Sequence, residues 1–318
     1  MGRNRIAVVI PCYKVRAHIL PVIQTIGPEV GAIYAVDDKC PEQSGHFIQE
    51  NCRDPRVHVI FNQRNEGVGG ATLNGFRKAA EDGADVIVKI DGDGQMDPAL
   101  IPKFAAPIID RRADYTKGNR FYNPEDVIAM PPVRLIGNAA LSFMSKLSTG
   151  YWHLFDPTNG YLAISAKVFL QLPTHKIAKR YFFETDMLFR LNTIRAVVLD
   201  IPMAAKYGDE ESNLKIHREL GRFLAGHTRN FVKRLVYNYF VRDFGIASVQ
   251  LVGGLGAIGF GTVFGGIKWY QSSVAGMDTP AGAVMIATLP IILGFQLILA
   301  FLGFDIAATP KDPLQDRL

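Results

Sequence analysis

The chain has 318 residues, a formal net charge of +5 and three cysteines. That length exceeds a single small domain and suffices for a catalytic domain with an appendage, while the charge is too modest to call for a nucleic-acid partner. Cys12, Cys40 and Cys52 form no CxxC pair and no metal-like spacing, which fits packed thiols in a reducing compartment.

After "MGRNR" the apolar stretch "IAVVI" is only five residues long and runs into "PCY", so it reads as a strand rather than a signal peptide. A helix is predicted near 16–27, then a strand in "AIYAVDD" and another in "RVHVIFN". "GGATLNGFRKAAEDG" is helical in pattern, and "ADVIVKID" returns to strand. This β-α-β rhythm predicts a mostly parallel sheet with helices on both faces, whose ligands bind beyond the C-terminal strand ends. Pro11 and Tyr13, Asp37 and Asp38, Asn65, and Asp91 and Asp93 all fall at such ends.

The last of these ends reads "KIDGDGQMDP", where a buried strand meets Asp91, Asp93 and Asp97. Clustered carboxylates repel, so solvent, a cation or a ligand must compensate them. Asp91 and Asp93 are close enough to share one divalent cation, although Asp and Gly also favour plain turns. Asp97, just before Pro98, suits a helix cap. The stretch "NEGVGGATLNG" meets Thr72 where a dinucleotide fingerprint needs its third glycine, so the fingerprint is weak and a nicotinamide oxidoreductase stays only as a different-class alternative. Gly67, Gly69 and Gly70 still allow close backbone approach to a phosphate at a helix start.

Residues 215–243 combine apolar positions at three- and four-residue steps, Leu220, Phe223, Leu224, Phe231, Leu235, Tyr239 and Phe240, with a crowd of arginines and lysines. A basic amphipathic stretch of this kind predicts an interfacial helix on an anionic leaflet. Phe244 to Ile267 and Thr279 to Phe304 then carry no charged residue. Each exceeds the roughly 20 residues that span a bilayer. Glycines in the first run suit close helix–helix contact in lipid. The connecting loop holds only Lys268, so the positive-inside rule places the large domain and the tail in the cytoplasm, at the inner membrane. The expected division is a cytoplasmic domain over 1–214, a juxtamembrane segment over 215–243, a two-helix hairpin over 244–304 and a tail over 305–318.

Taken in order, "VVIPCYK", "AVDDKCPEQSG", "NEGVGGATLNGF", "DGDGQMDP", "TKGNRF", "FDPTNGYLAIS" and "YGDEESNLKI" resemble family-2 glycosyltransferases. The similarity is greatest to the membrane-anchored polyprenyl-phosphate group that includes dolichol-phosphate mannose synthase, and it covers residues 5–214. It implies a Rossmann-like, GT-A type nucleotide-diphospho-sugar transferase domain. It also implies inverting transfer of one sugar from a UDP- or GDP-linked donor to a polyprenyl phosphate, with Mg²⁺ or Mn²⁺ as cofactor. A homo-oligomer, with the tetramer as one state, follows from the same resemblance.

The resemblance also implies roles. Pro11, Tyr13, Asp37, Asp38, Asn65, Gly69, Asp91 and Gln95 would bind the nucleotide sugar, and Asp91 and Asp93 the metal. Arg120, Arg134 and Lys206 would bind the acceptor phosphate, where a guanidinium offers bidentate contacts. Lys206 stands where the family has Arg. Asp156, Glu184 and Asp186 are the carboxylates left for acid–base work beside Asp93. On a helix Glu184 and Asp186 point about 200° apart, so at most one faces the site; Asp156 and Asp186 are the favoured pair. Three departures, "KVR" at 14–16, Leu162 and Asn213, fall near substrate contacts. The alternatives are a hydroxyl-bearing glycolipid acceptor, which needs a working base, and a processive polysaccharide synthase, whose Q/R-x-x-R-W segment does not occur here.

Overall fold

In a computed structural model, the protein is described over residues 5–122, 132–204 and 216–318. The chain begins with β1 (Ile6–Cys12), α1 (Ile19–Gln24), β2 (Val30–Asp37), α2 (Ser44–Asn51), β3 (Val57–Phe61), α3 (Val68–Glu81) and β4 (Val86–Lys89). It continues through α4 (Ile101–Ile109), β5 (Tyr115–Asn119), α5 (Pro132–Thr149), β6 (Leu162–Ser165), α6 (Ala166–Leu170), α7 (Phe183–Thr193) and β7 (Val198–Pro202). Three long helices follow: α8 (Ile216–Val236), α9 (Ile246–Ala275) and α10 (Ala281–Ala307). The first predicted helix is shorter than 16–27 because Gly27-Pro28 breaks it, and Thr25 already caps its end by donating to the carbonyls of Pro21 and Val22.

The strands form one sheet in the order β3-β2-β1-β4-β6-β5-β7, parallel except for β6, which runs antiparallel to both neighbours. β1 is buried along almost its whole length. Its side chains alternate between two cores: Val9 packs with Phe76 of α3 and Met187 of α7, while Val8 and Ile10 pack with Ile19, Ile101 and Phe104. Covering both faces is what turns the strand into a continuous apolar run, and each such Val or Ile contributes about 1.5–3 kcal/mol.

The chain folds as two compact units. Residues 1–232 with 310–318 form one, and Lys233–Thr309 the other, so the division falls within α8. In the first unit, residues 310–318 return to the sheet. The buried Asp114 carboxylate accepts the N–H groups of Val197, Leu314 and Gln315, and the Gln315 amide donates to the carbonyls of Ile108 and Ala113. In the second unit, α9 and α10 are two helices long and apolar enough to cross a membrane. They meet through glycine: a Cβ on Gly254 would stand 2.9 Å from the Gly294 carbonyl oxygen. At the hairpin's foot Arg234 donates to both oxygens of Asp305, which also accepts the Tyr239 hydroxyl.

Candidate active site

The C-terminal ends of β1, β2 and β4 open into a cavity of about 900 Å³. Because β6 is antiparallel to β4, with Leu162 paired to Lys89, the loop that precedes it brings Thr158 and Gly160 to the same end. The starts of α3 and α7 close the remaining sides with Asn65, Gly67 and Val68, and with Arg180, Tyr181 and Glu184.

Of the residues expected from the sequence, Pro11, Tyr13, Asp38, Asn65, Asp91 and Asp93 line this cavity. Asp38 is largely occupied: Oδ1 accepts from Asn62 Nδ2 and Glu66 N, and Oδ2 accepts the Gly67 N–H at 2.7 Å. It therefore shapes the turn into α3 as much as it faces a ligand. Asp37 does not line the cavity; its two oxygens accept the N–H groups of Cys40 and Gly45, the latter in the first turn of α2. Gly69 also lies off the cavity lining, and a Cβ there would stand 2.7 Å from the Phe183 ring.

The "DGDGQ" turn is held from inside. Asp93 Oδ1 accepts the Gln95 N–H at 2.9 Å, so Gln95 acts through its backbone, and the Asp91 N–H points to Met96 Sδ. Asp97 caps the short helix at Pro98–Leu100 by accepting the Ala99 N–H. At the cavity floor, Lys89 Nζ donates to Asp91 Oδ1 at 2.7 Å. Burial works against the Lys89 charge, but Asp91, Glu184 and Asp93 more than offset it and lift its pKa above the usual lysine value.

Neither carboxylate favoured for acid–base work is free to do it. Asp156 is buried and takes Arg120 in a two-point contact, Nε to Oδ2 at 2.7 Å and Nη2 to Oδ1 at 2.8 Å, with the Arg120 backbone N–H and Asn159 Nδ2 also donating. Burial alone would raise its pKa; Arg120, with Lys117 and Asn159, holds it below the ordinary carboxylate value. Asp186 is fully buried, accepts from Ala178 N and Asn230 Nδ2, and ties α7 to α8. Of the three acid–base candidates Asp156, Glu184 and Asp186, it is Glu184 that lines the cavity, with Asp38, Asp91 and Asp93. Burial pushes Glu184 up to about 7 against the opposing charge of Lys89. Arg120 is absent from the cavity lining and is committed to Asp156. Arg134 lies in the first turn of α5, and its side chain and Lys206 fall outside the described residues.

The sequence reading missed Lys89, Lys39, Thr158, Gly160, Arg180 and Tyr181. One signal was present: Lys89 interrupts the apolar run "ADVIVKI", a position that packing alone would fill with Val or Ile. Lys14, part of the departure at 14–16, also lines the cavity, as does Lys39, and both have left-handed φ. Chemically, the cavity offers two carboxylates on one turn, an ammonium at its floor, cations at its rim and the N-terminus of α3. That combination suits a diphosphate with a divalent cation. Asp91 and Asp93 fit that cation, since both reach the cavity from the same turn.

A sequence model of Glycosyl transferase family 2 matches residues 7–172. Over 221 residues the chain is 30% identical to the UDP-N-acetylglucosamine--dolichyl-phosphate N-acetylglucosaminyltransferase of Methanococcus voltae, covering 65% of this chain and 88% of that protein. It is 30% identical over 207 residues to the undecaprenyl-phosphate mannosyltransferase of Micrococcus luteus, covering 63% and 82%. Among solved structures, mannosyl-3-phosphoglycerate synthase from Rubrobacter xylanophilus superposes with a TM-score of 0.54 at 16% identity, covering 76% of this chain and 77% of that one. Glucosyl-3-phosphoglycerate synthase from Mycobacterium tuberculosis, crystallised with Mn²⁺, UDP and phosphoglyceric acid, gives 0.52 at 18%, covering 73% and 78%. The two structural likenesses establish the shared fold.

Proposed function

Because the chain belongs to glycosyl transferase family 2, we propose that it transfers one sugar, with inversion, from a nucleoside-diphosphate sugar to a polyprenyl phosphate at a membrane surface. The observation that carries this reading is that Asp91 and Asp93 line one strand-end cavity in a chain that also holds two membrane-length apolar helices. The named relatives, which use dolichyl and undecaprenyl phosphates, support the acceptor class.

In this mechanism Asp91 and Asp93 would hold Mg²⁺ or Mn²⁺, which would supply positive charge to stabilise the departing diphosphate. Pro11, Tyr13, Asp38 and Asn65 seat the nucleotide, and the N-terminus of α3 faces its phosphates. An oxygen of the lipid phosphate forms the new bond to the anomeric carbon as the bond to the diphosphate breaks on the opposite face. The attacking oxygen is already anionic, so alignment matters more than proton removal. The commitment of Asp156 and Asp186 to structural hydrogen bonds supports that choice. Arg134 and Lys206 remain the proposed acceptor-side cations, while the guanidinium of Arg120 is held by Asp156. The catalytic domain, with both chain ends, lies on the cytoplasmic side of the inner membrane in this reading, and the assembly is a homo-oligomer.

Glu184 favours one second reading: a hydroxyl-bearing glycolipid acceptor, for which a cavity carboxylate titrating at about 7 is a suitable base. Both readings are tested with full-length protein in detergent, undecaprenyl phosphate, Mg²⁺ or Mn²⁺, and a panel of UDP-, GDP- and dTDP-sugars. A glycolipid product is expected. Nucleotide binding without product from any donor would overturn the lipid-phosphate reading. Loss of all turnover in Glu184→Gln would favour the hydroxyl acceptor.

A further inference from the structure

We propose that Lys89 is a resident counter-ion standing in for the divalent cation's charge, so that the cation enters this site together with the donor's diphosphate and not before it. The inference rests on the reading of Asp91 and Asp93 as the cation's carboxylates.

Lys89 closes β4, a central strand flanked by β1 and β6, and is 1% exposed. Its neighbours Val86, Ile87, Val88 and Ile90 are all buried and apolar. An ammonium placed among them is costly to desolvate unless a carboxylate compensates it. Asp91 Oδ1 does so at 2.7 Å, at the floor of the cavity. The chain opposite is shaped around this pair: a Cβ on Gly160 would stand 2.5 Å from Lys89 Nζ and 3.0 Å from Asp91 Oδ2. The ammonium is therefore given its own clearance inside the ligand cavity.

The consequence is a matter of charge. Among the described residues, no group of three His, Cys, Asp or Glu side chains is placed to hold a metal ion. The two carboxylates of the "DGD" turn, one neutralised by Lys89, present about one net negative charge to a dication, too little to hold it against its hydration. A diphosphate supplies the missing negative charge, and its own repulsion is relieved by the dication and Lys89 together. Lys89 is a positioning residue: it fixes Asp91 and sets the order in which charges assemble.

The test follows Mn²⁺ binding by the electron paramagnetic resonance of free Mn²⁺, using full-length protein in detergent, with and without UDP or GDP. Wild type is expected to bind Mn²⁺ weakly alone and at least about tenfold more tightly with one of the nucleotides. Lys89→Met and Lys89→Gln are expected to bind Mn²⁺ alone about tenfold more tightly than wild type and to lose most of the nucleotide dependence. Lys89→Arg, which keeps the charge, should keep the wild-type pattern, a distinction that a purely structural role would not produce. Neutral variants with wild-type circular dichroism whose affinity for Mn²⁺ alone is unchanged or weaker would overturn this inference alone. Wild type that binds Mn²⁺ equally tightly with and without nucleotide would likewise overturn this inference alone, whereas wild type that binds no Mn²⁺ even with nucleotide would overturn the reading beneath it as well.

Discussion

Arg120 lays its guanidinium along the carboxylate of Asp156, each of two nitrogens facing its own oxygen at 2.7 and 2.8 Å. Asp156 is buried with a left-handed φ of 51°, a conformation uncommon outside glycine that aspartate tolerates better than most residues, and the pair helps to pin it. Removing the guanidinium leaves a buried charge without its main partner. Arg120→Ala is expected to lower stability by about 3–5 kcal/mol, and Arg120→Lys, which keeps charge without the two-point fit, by less. Chemical denaturation of the detergent-solubilised protein measures both. An Asp156→Asn protein that unfolds like wild type yet has no turnover would return Asp156 to a catalytic role.

Glu184 and His227 pull the pH dependence of stability in opposite directions. Burial raises Glu184 from 4.5 to about 7, so between these values the native state keeps a proton that the unfolded chain releases, and stability falls as pH rises. His227, in contact with Ser148 Oγ through Nδ1, is lowered by burial from 6.5 to about 4, so its contribution is complete above 6.5 and is lost as pH falls. Each effect is on the order of 3 kcal/mol and they offset one another between those limits. The wild-type melting temperature should be nearly flat from about pH 4.5 to 6.5 without added metal. In that window Glu184→Gln should make it rise with pH, and His227→Gln should make it fall. Parallel slopes in the two variants would contradict the assignment.

Gly160→Ala tests the clearance around the Lys89–Asp91 pair. The added methyl meets the tip of a flexible lysine at 2.5 Å and a carboxylate oxygen at 3.0 Å, so the ion pair must part while the fold can adjust. Nucleotide affinity in the presence of Mn²⁺ should drop at least about tenfold, with a stability loss of up to about 3–5 kcal/mol from the parted buried pair. Isothermal titration and thermal unfolding on one preparation separate the two. Unchanged affinity would remove the pair from the binding site.

The Asp114 carboxylate, buried at the start of β5, depends on residues 310–318 for two of its three backbone donors. Ending the chain at Thr309 strips those donors and the Gln315 bonds to Ile108 and Ala113. A stability loss of about 2–4 kcal/mol is expected, largely from the under-bonded carboxylate. Asp114→Asn in the shortened chain should recover part of it, as read by thermal unfolding.

Much of the architecture was legible because it is local. Apolar runs ending in "PCY", "VDD" and "KIDGD" mark strands covered on both faces, and polar residues at their C-terminal ends mark the binding edge. The roles of individual carboxylates were not legible to the same degree. Asp37 and Asp38 look alike in sequence, yet their oxygens are shared among the N–H groups of Cys40, Gly45, Glu66 and Gly67, a matter of where two following turns place their donors. The spacing of Glu184 and Asp186 correctly limits one of them to the cavity. Which one is decided by how α7 docks against Asn230 of α8, a contact 44 residues away in the chain. α7 is buried nearly all round, so its own periodicity holds no preferred face. Lys89 shows the opposite case, a local anomaly whose partner, Asp91, was two residues away and already in view.

Residues 310–318 follow both apolar helices in the chain, yet complete the unit that residues 1–232 begin. During synthesis the Asp114 carboxylate therefore lacks two of its donors until both apolar helices have been made. A nascent chain stalled or cleaved within the hairpin retains an incompletely bonded domain, open to proteolysis at the β5 end. Nine residues of tail thus tie completion of this unit to synthesis of both apolar helices.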